Sequence, residues 1–288
     1  MPGVIRDFDR LAPRPVIGIL HPGAMGSALG AALKPKAGTV IWAAKGRSIT
    51  TSKRAELADL IAVPTLKEVV LRSDVIISIC PPDAAQDVAE AVGEVLDEAR
   101  WADPYYIDAN AVSTLTMIRI TERLGVKRVI DGAVIGPPAW EPGETVLWLS
   151  GPSAPIVEHL FEGSPFEARV LATPAGIASA LKACFALQSK AMPAIWLAIA
   201  AAARDFHIED EVRGELARFG IDLDTKLGGI QGRSGGKARR WAAEMEEAAE
   251  AFEGIEMPTG FSRAAAEVYR KLADADPTDP RNLWGLRG

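Results

Sequence analysis

The residues from 16 to 30 form the stretch that most constrains the fold of this chain. They read Val16-Ile-Gly-Ile-Leu-His-Pro-Gly-Ala-Met-Gly-Ser-Ala-Leu-Gly30, which is a short apolar run, a glycine turn and an alanine-rich segment. This order of strand, tight turn and helix is typical of the first unit of a dinucleotide-binding fold. A helix that begins at such a turn presents unpaired N–H groups and its positive dipole end to phosphate. The alternative is a plain strand–turn–helix of an α/β protein without a cofactor.

The turn departs from the usual G-x-G-x-x-G pattern because a histidine replaces the first glycine. Gly23 would let the backbone approach a pyrophosphate, and Gly26 would let the helix pack closely on the strand. His21 either touches the pyrophosphate or only shapes the turn, since His is among the residues that tolerate positive φ. The cofactor-contacting residues predicted for this segment are Gly18, His21, Pro22, Gly23, Ala24, Met25 and Gly26.

A basic, hydroxyl-rich segment, Lys45 to Arg54, follows the second predicted strand and is predicted to be a loop. NAD-binding folds place an acidic residue about 20 residues past the glycine turn, whereas NADP-binding folds accommodate the 2′-phosphate with an Arg. Arg47, next to Ser48, occupies this position, and a guanidinium can hold a phosphate by two parallel charged hydrogen bonds. The sequence therefore predicts NADP(H), with Arg47 and Ser48 as ligands. A solvated basic loop is the alternative.

Strands and helices alternate through the first part of the chain, which predicts a doubly wound parallel sheet with extra strands. The strand that ends at Cys80 is followed by Pro81 and Pro82. Ligands bind beyond the carboxyl ends of parallel strands, so these three residues are predicted to lie near the cofactor, or only to shape the turn. From Pro174 onward the pattern is helical. The predicted domains are 1–173, a Rossmann-type NADP-binding domain, and 174–288, an all-helical substrate and dimerisation domain.

Composition narrows the class of protein. A chain of 288 residues suits two domains, and a net charge of −6 argues against a nucleic-acid binder. The only two cysteines, Cys80 and Cys184, lie in apolar runs, as expected for buried thiols in the cytoplasm. The N-terminus has no apolar signal segment, and the apolar segment 191–203 is shorter than the roughly 20 residues of a membrane span. Three histidines and no Cys/His cluster predict no metal site.

In its layout and four motifs the chain resembles the β-hydroxyacid dehydrogenase superfamily, which includes 3-hydroxyisobutyrate and 6-phosphogluconate dehydrogenases and, more distantly, imine reductases. Gly18-Ile-Leu-His-Pro-Gly-Ala-Met-Gly26 is similar to the family's G-x-x-G-x-G-x-M-G, and Ile107-Asp-Ala-Asn110 to its D-x-S segment. Asp131-Gly-Ala-Val-Ile-Gly136-Pro137 resembles its D-x-P-V-S-G-G substrate loop. Gly176-Ile-Ala-Ser-Ala-Leu-Lys182 resembles its G-x-G-x-x-x-K.

The C-terminal part resembles one subfamily in particular. The segments Arg240-Trp-Ala-Ala-Glu-Met-Glu-Glu247 and Gly260-Phe-Ser-Arg-Ala-Ala-Ala-Glu-Val-Tyr269 are typical of relatives whose C-terminal domain has no assigned function. The resemblance also implies a homodimer, in which the long apolar helix from Pro174 finds a partner surface.

The resemblance implies that Lys182 is the catalytic acid/base and that Asn110 orients a substrate oxygen or the nicotinamide. Without it, Lys182 could equally be a lysine that extends its amine to the surface, and Asn110 a turn-forming residue. Three of the family's motifs are altered: Asn110 replaces its serine, Ile135-Gly136-Pro137 replaces its S-G-G, and Ala186 replaces its asparagine. The dinucleotide half therefore follows the family better than the hydroxyacid half.

The predicted function is an NADP-dependent oxidoreductase that transfers hydride to or from a small polar substrate, with Lys182 as proton donor or acceptor. One alternative is an imine reductase of the same fold, because the hydroxyacid contacts are missing. The other is a sensor module that holds NADPH without turnover.

Overall fold

The computed structural model describes residues 11–228, 230 and 236–274. The chain divides into two compact units, Met1–Lys182 and Ala183–Gly288. The division falls inside a helix, whereas the sequence-based boundary between 173 and 174 lies before that helix. The first turn of this helix is hydrogen-bonded to the sheet of the first unit, which explains why the boundary between the units lies later in the chain than predicted from the sequence.

The first unit is built on an eight-stranded sheet of order β3-β2-β1-β4-β5-β6-β7-β8. Neighbouring strands pair in parallel except β6 and β7, which are antiparallel. The predicted doubly wound sheet with extra strands is confirmed, and the last two strands, β7 and β8, run opposite to the other six. The strands are β1 (Val16–Leu20), β2 (Thr39–Ala43), β3 (Ile61–Val63), β4 (Val75–Ser78), β5 (Tyr105–Asp108), β6 (Val129–Ile135), β7 (Val146–Ser150) and β8 (Glu167–Ala172).

Helices connect consecutive strands except β6 and β7, and Pro82–Ala84 and His159–Phe161 form short 3₁₀ turns. The prediction of a loop over 45–54 was wrong, because a helix begins at Ile49. Ser48 is its N-cap, with the Ser48 hydroxyl oxygen 3.2 Å from the backbone N–H of Thr51. The helices are α1 (Ala24–Leu33), α2 (Ile49–Leu57), α3 (Leu66–Arg72), α4 (Ala85–Glu98), α5 (Thr114–Leu124), α6 (Ala154–Glu158) and α7 (Ile177–Ala186).

Apolar side chains cover both faces of the sheet, as the continuous apolar runs of its central strands require. On one face, Ile17 and Ile19 of β1 pack in a core with Leu29 of α1. On the other face, Leu20 and Ile76 belong to a core shared with α4 and α5. The central strands are thereby fixed on two sides, and the positions of their carboxyl ends are set by the core.

The second unit is helical among its described residues. A π-helical turn, Leu187–Ala191, joins α7 to the next helix and precedes Pro193. The core of the second unit includes Trp241 and Tyr269, whose rings lie edge to face with their centroids 5.2 Å apart. The helices are α8 (Met192–Asp205), α9 (Glu209–Arg218), α10 (Leu223–Gly228), α11 (Gly236–Glu253) and α12 (Gly260–Asp274).

The continuous helix Ile177–Asp205 is, among the described residues, the one whose length and composition would allow a membrane crossing. Length and composition are weak evidence here, because core helices of soluble proteins meet the same criterion. The helix also carries Lys182 and Lys190, and the ammonium of Lys190 lies 2.8 Å from a carboxylate oxygen of Glu244.

Candidate functional site

The carboxyl ends of β1, β4, β5 and β6 lie at one edge of the sheet, because these four neighbouring strands are parallel. His21 follows β1, Cys80 follows β4 by two residues, and Asn110 follows β5 by two residues. Val134 lies at the end of β6. In open α/β sheets ligands bind at this edge, which makes it the candidate site.

The turn after β1 has the geometry of a phosphate cradle. His21 adopts a φ of +65°, and its carbonyl accepts a 2.7 Å hydrogen bond from the N–H of Gly23. Gly23 is the N-cap of α1 and offers no side-chain cap, so the first N–H groups of α1 receive no hydrogen bond from it. A Cβ added at Gly23 would meet nothing within 4 Å, so the turn is open at this position.

Gly26 and Gly18 are glycines for packing. A Cβ at Gly26 would lie 2.6 Å from the carbonyl oxygen of His21 and force the turn to move. A Cβ at Gly18 would lie 2.4 Å from the hydroxyl of Ser73 and 2.6 Å from a methyl of Val69. Gly18 therefore allows α3 to pack against β1, a role the sequence analysis did not assign to it.

Pro22, Ala24 and Met25 complete the turn and the start of α1. The hydroxyl of Ser27 donates a 3.0 Å hydrogen bond to the carbonyl of Pro22, and Met25, the second residue of α1, packs against the core. Ala24 is the first residue of α1.

Arg47 and His21 interact electrostatically across the loops after β2 and β1. Burial, followed by the positive charge of Arg47, lowers the pKa of His21 to about 4. Its imidazole is therefore neutral near pH 7, and its Nδ1 is buried without a hydrogen-bond partner in the described part of the chain. Burial also lowers the pKa of Arg47. The charge of the Arg47 guanidinium thus acts on His21 in the glycine turn. The hydroxyl of Ser48, by contrast, caps α2.

A polar network joins the ends of β4 and β5 around Asn110. The amide nitrogen of Asn110 donates to Asp108 at 3.0 Å and to the hydroxyl of Ser78 at 3.2 Å. Its amide oxygen accepts from the backbone N–H of Cys80 at 2.5 Å. Asn110 is 2% exposed, so its side chain connects the two strand ends. Sequence reasoning missed Asp108 and Ser78, although a polar residue within an apolar strand marks each of them.

Cys80 and the two prolines shape the turn after β4. Burial, followed by the negative charge of Asp108, raises the pKa of the Cys80 thiol to about 12. The thiol is therefore protonated at neutral pH and is a poor nucleophile. Pro81 is the N-cap of the 3₁₀ turn and Pro82 is its buried first residue.

Lys182 reaches the same edge of the sheet from α7. Its ammonium donates a 3.1 Å hydrogen bond to the carbonyl oxygen of Val134, near the end of β6. Just beyond, the loop Gly136-Pro137-Pro138 is held by Thr145, whose hydroxyl donates to the carbonyl of Pro137 at 2.7 Å. Lys182, the predicted proton donor, is thus bound to β6, the strand that pairs with β5, and Asn110 follows β5. Within residues 11–228, 230 and 236–274, no group of three or more His, Cys, Asp or Glu side chains could hold a metal ion.

Comparison with known proteins gives one sequence relative and one domain family. Residues 203–272 match the family described as a domain of unknown function, DUF1932. Over 197 residues the chain is 30% identical to an uncharacterised 28.5 kDa protein of Methanothermus fervidus, encoded in the 7S RNA 5′ region. The match covers 68% of this chain and 74% of that protein.

Solved structures show where this fold recurs. A conserved protein of unknown function, described as similar to 3-hydroxyacid dehydrogenases, matches with a TM-score of 0.63 at 23% identity, over 90% of this chain and 97% of its own. Mycobacterium tuberculosis 3-hydroxyisobutyrate dehydrogenase with L-serine matches with a TM-score of 0.67 at 14% identity, over 96% and 100%. A reductive aminase from Aspergillus terreus in complex with NADPH and ethyl levulinate matches with a TM-score of 0.53 at 16% identity, over 90% and 93%.

The predicted resemblance is confirmed by the fold and by the C-terminal domain. The chain belongs to the family of the Methanothermus fervidus protein, with a DUF1932 domain at its C-terminal end and the fold of the β-hydroxyacid dehydrogenase superfamily.

Proposed function

We propose that this protein is an NADP(H)-dependent oxidoreductase of the hydroxyacid-dehydrogenase type, in which Lys182 donates or accepts the proton. The observation that carries the proposal is the 3.1 Å hydrogen bond from the Lys182 ammonium to Val134, at the sheet edge that also holds the glycine turn. Solved structures of the same fold include a dehydrogenase and reductive aminases, and two of the reductive aminase structures are complexes with NADPH or NADPH4.

The turn residues fit a nicotinamide dinucleotide. The open space at Gly23, the uncapped start of α1 and the unpartnered Nδ1 of His21 offer room and polar groups for a pyrophosphate. Arg47 supplies a guanidinium near this turn, which favours a 2′-phosphate and hence NADP(H) over NAD(H).

The bound cofactor would supply the hydride. The chain's own contribution is a positioned proton: the ammonium of Lys182 would protonate a carbonyl oxygen or imine nitrogen as hydride arrives, and the neutral amine would take the proton in the reverse direction. Asn110, whose amide is bound to Ser78 and Asp108, would keep the ends of β4 and β5 in place beside it.

A second candidate is an imine reductase, and the loop after β6 favours it. Pro137 and Pro138 have no N–H, and Thr145 fixes the loop by its bond to Pro137, so this loop offers few donors to a substrate carboxylate. Substrates without a carboxylate, such as cyclic imines or ketones with amines, suit such a loop better than hydroxyacids. Structures of the same fold include imine reductases and reductive aminases.

The test begins with the cofactor. Fluorescence titrations of the purified protein with NADPH and NADH are compared for the wild type, Arg47→Ala and, as a matched control, Arg54→Ala, which changes an arginine further along the same basic segment. We expect NADPH to bind more tightly than NADH, and Arg47→Ala alone to remove this preference. Binding of neither cofactor, or a stronger affinity for NADH, would refute the proposal of NADP(H).

Turnover then separates the candidates. NADPH oxidation is measured with a panel of 2- and 3-ketoacids and a panel of cyclic imines, and hydroxyacid oxidation is measured with NADP⁺. Reaction with ketoacids and hydroxyacids supports the dehydrogenase, and reaction with imines alone supports the imine reductase. Tight NADPH binding without turnover, together with an unaltered cellular phenotype of Lys182→Ala, would support the non-catalytic sensor instead.

We also propose a homodimer in the cytoplasm. Three apolar side chains of the second unit, Phe185, Met192 and Ile195, are each more than 40% exposed along one continuous helix. Exposed apolar side chains that lie close together along an element are typical of association surfaces. A monomeric mass in light scattering would contradict the dimer.

A further inference from the structure

Asp131 is a fully buried carboxylate in the middle of β6 that the proposed reaction does not use. One of its oxygens accepts three hydrogen bonds of 2.9 Å, from the N–H groups of Gly176 and Ser179 and from the hydroxyl of Ser150. Its other oxygen accepts a 2.6 Å bond from the Ser179 hydroxyl. All four donors are neutral, so the carboxylate is held by hydrogen bonds alone.

These bonds connect the sheet to the first turn of α7. The first N–H groups of a helix have no partner within the helix and need an acceptor from elsewhere. Asp131 accepts from Gly176 and Ser179, and the hydroxyl of Ser150 accepts from the N–H of Ala178 at 3.1 Å. A negative charge at a helix N-terminus also interacts favourably with the helix dipole. Two strands, β6 and β7, thus provide the acceptors for the start of α7.

Lys182 lies one turn further along this helix and is attached to the same strand. Its ammonium donates to Val134, three residues after Asp131 on β6. The strand therefore binds the helix twice, once at its start through Asp131 and once through the side chain of Lys182. If the start of α7 shifted, the Lys182 ammonium would leave the carbonyl of Val134.

We propose that Asp131 is the positioning residue of this site: with Ser179 and Ser150 it fixes the start of α7 on β6 and so sets the place of the Lys182 amine. The inference rests on the proposed role of Lys182 in proton transfer. Asp131 itself touches neither substrate nor cofactor in this scheme and acts through the helix.

Two variants test the proposal, with a matched control. Asp131→Asn removes the charge and an acceptor, and Ser179→Ala removes only the 2.6 Å hydroxyl bond. Ser153→Ala is the control: it also removes a buried serine hydroxyl, one that donates to the carbonyl of Lys127 at 2.6 Å and does not contact Asp131. Lysines of the full chain are methylated with ¹³C-formaldehyde, Lys182 is assigned with Lys182→Arg, and its pKa is followed by NMR. This readout needs no substrate.

We expect the pKa of Lys182 to fall in Ser179→Ala, because a displaced ammonium is favoured less by the Val134 carbonyl, and to fall further in Asp131→Asn, where the loss of the carboxylate adds to this effect. The affinity for NADPH should stay unchanged, whereas kcat for any substrate found should fall about ten- to a hundredfold, as expected for a misplaced catalytic group. Ser153→Ala should change neither.

An unchanged Lys182 pKa in folded Ser179→Ala and Asp131→Asn would overturn the proposal, and so would an equal change in Ser153→Ala. If Asp131→Asn does not fold, Ser179→Ala decides alone. Full activity of Lys182→Arg would refute the proposed function, while the NMR result would still decide whether Asp131 positions the lysine.

Discussion

Gly23 and Gly26 lie three residues apart in the same turn, and the structure predicts opposite effects for the same substitution. At Gly23 a methyl group enters open space, and the backbone has a φ of −70° and a ψ of −162°, which alanine can adopt. At Gly26 the methyl would lie 2.6 Å from the carbonyl oxygen of His21 and 3.0 Å from a methyl of Ile79.

The magnitudes follow from these surroundings. Gly23→Ala should raise the free energy of unfolding by about 0.4–1 kcal/mol, because alanine restricts the unfolded chain more than glycine does. Gly26→Ala should lower it by about 1–3 kcal/mol, because the turn must move away from the added carbon. If the pyrophosphate rests on this turn, Gly23→Ala should weaken NADPH binding about a hundredfold, which corresponds to roughly 3 kcal/mol.

The assay pairs urea unfolding, followed by circular dichroism, with NADPH titration for both variants and the wild type. The decisive variant is Gly23→Ala, since it should be at least as stable as the wild type and yet bind poorly. Wild-type NADPH affinity in Gly23→Ala would refute the reasoning that this glycine serves the cofactor. A loss of stability in Gly23→Ala would show that the turn is packed at this position.

Three further predictions use separate readouts. Lys182→Ala should lower kcat about 10²- to 10⁴-fold with unchanged NADPH affinity, and an unaltered kcat would remove Lys182 from the mechanism. Because burial lowers the pKa of His21 from its ordinary 6.5 to about 4, the unfolded chain binds a proton over this range that the folded chain does not. The free energy of unfolding should therefore fall as the pH decreases from 6.5 to 4, and it should fall less steeply in His21→Gln when unfolding is measured across this pH range. Equal slopes for the two proteins would contradict the burial of a neutral imidazole. Phe185→Glu should yield a monomer in light scattering, and an unchanged mass would exclude this helix from the interface.

Local patterns made most of the first unit predictable. The strand, turn and helix from 16 to 33 are specified by apolar residues and glycines that are neighbours in sequence, so the prediction needed no tertiary information. The long apolar helix in the second half was predicted in the same way. Its π-helical turn, Leu187–Ala191, was not, because one extra residue in a helical turn leaves no local pattern.

Helix α2 and the direction of β7 could not be predicted from local sequence patterns. Ile49 and Leu57 of α2 are 80% and 86% exposed, so α2 lacks the apolar stripe that marks a packed helix. The antiparallel pairing of β7 with β6 depends on where the chain re-enters the sheet, and alternation of apolar residues does not encode it.

The site was predictable in position and less so in its bonding. The turn and Arg47 were predicted from their spacing and Lys182 from the family resemblance, and in the structure the charge of Arg47 acts on His21 of the turn. Asn110 was predicted to orient a substrate oxygen or the nicotinamide, or only to form a turn; the sequence did not predict that both ends of its amide bond to the protein. Asp131 carried no signal of its role because its partners are 45 and 48 residues away along the chain.

The central claim is that a nicotinamide dinucleotide binds across the carboxyl ends of β1 and β4, and hydrogen–deuterium exchange with and without NADPH tests it most directly. We predict slower exchange in peptides that contain the turn 20–27, the segment 44–49 and the turn 79–84. Unchanged exchange in these peptides at saturating NADPH, or protection confined to α11 and α12, would contradict the proposed cofactor site.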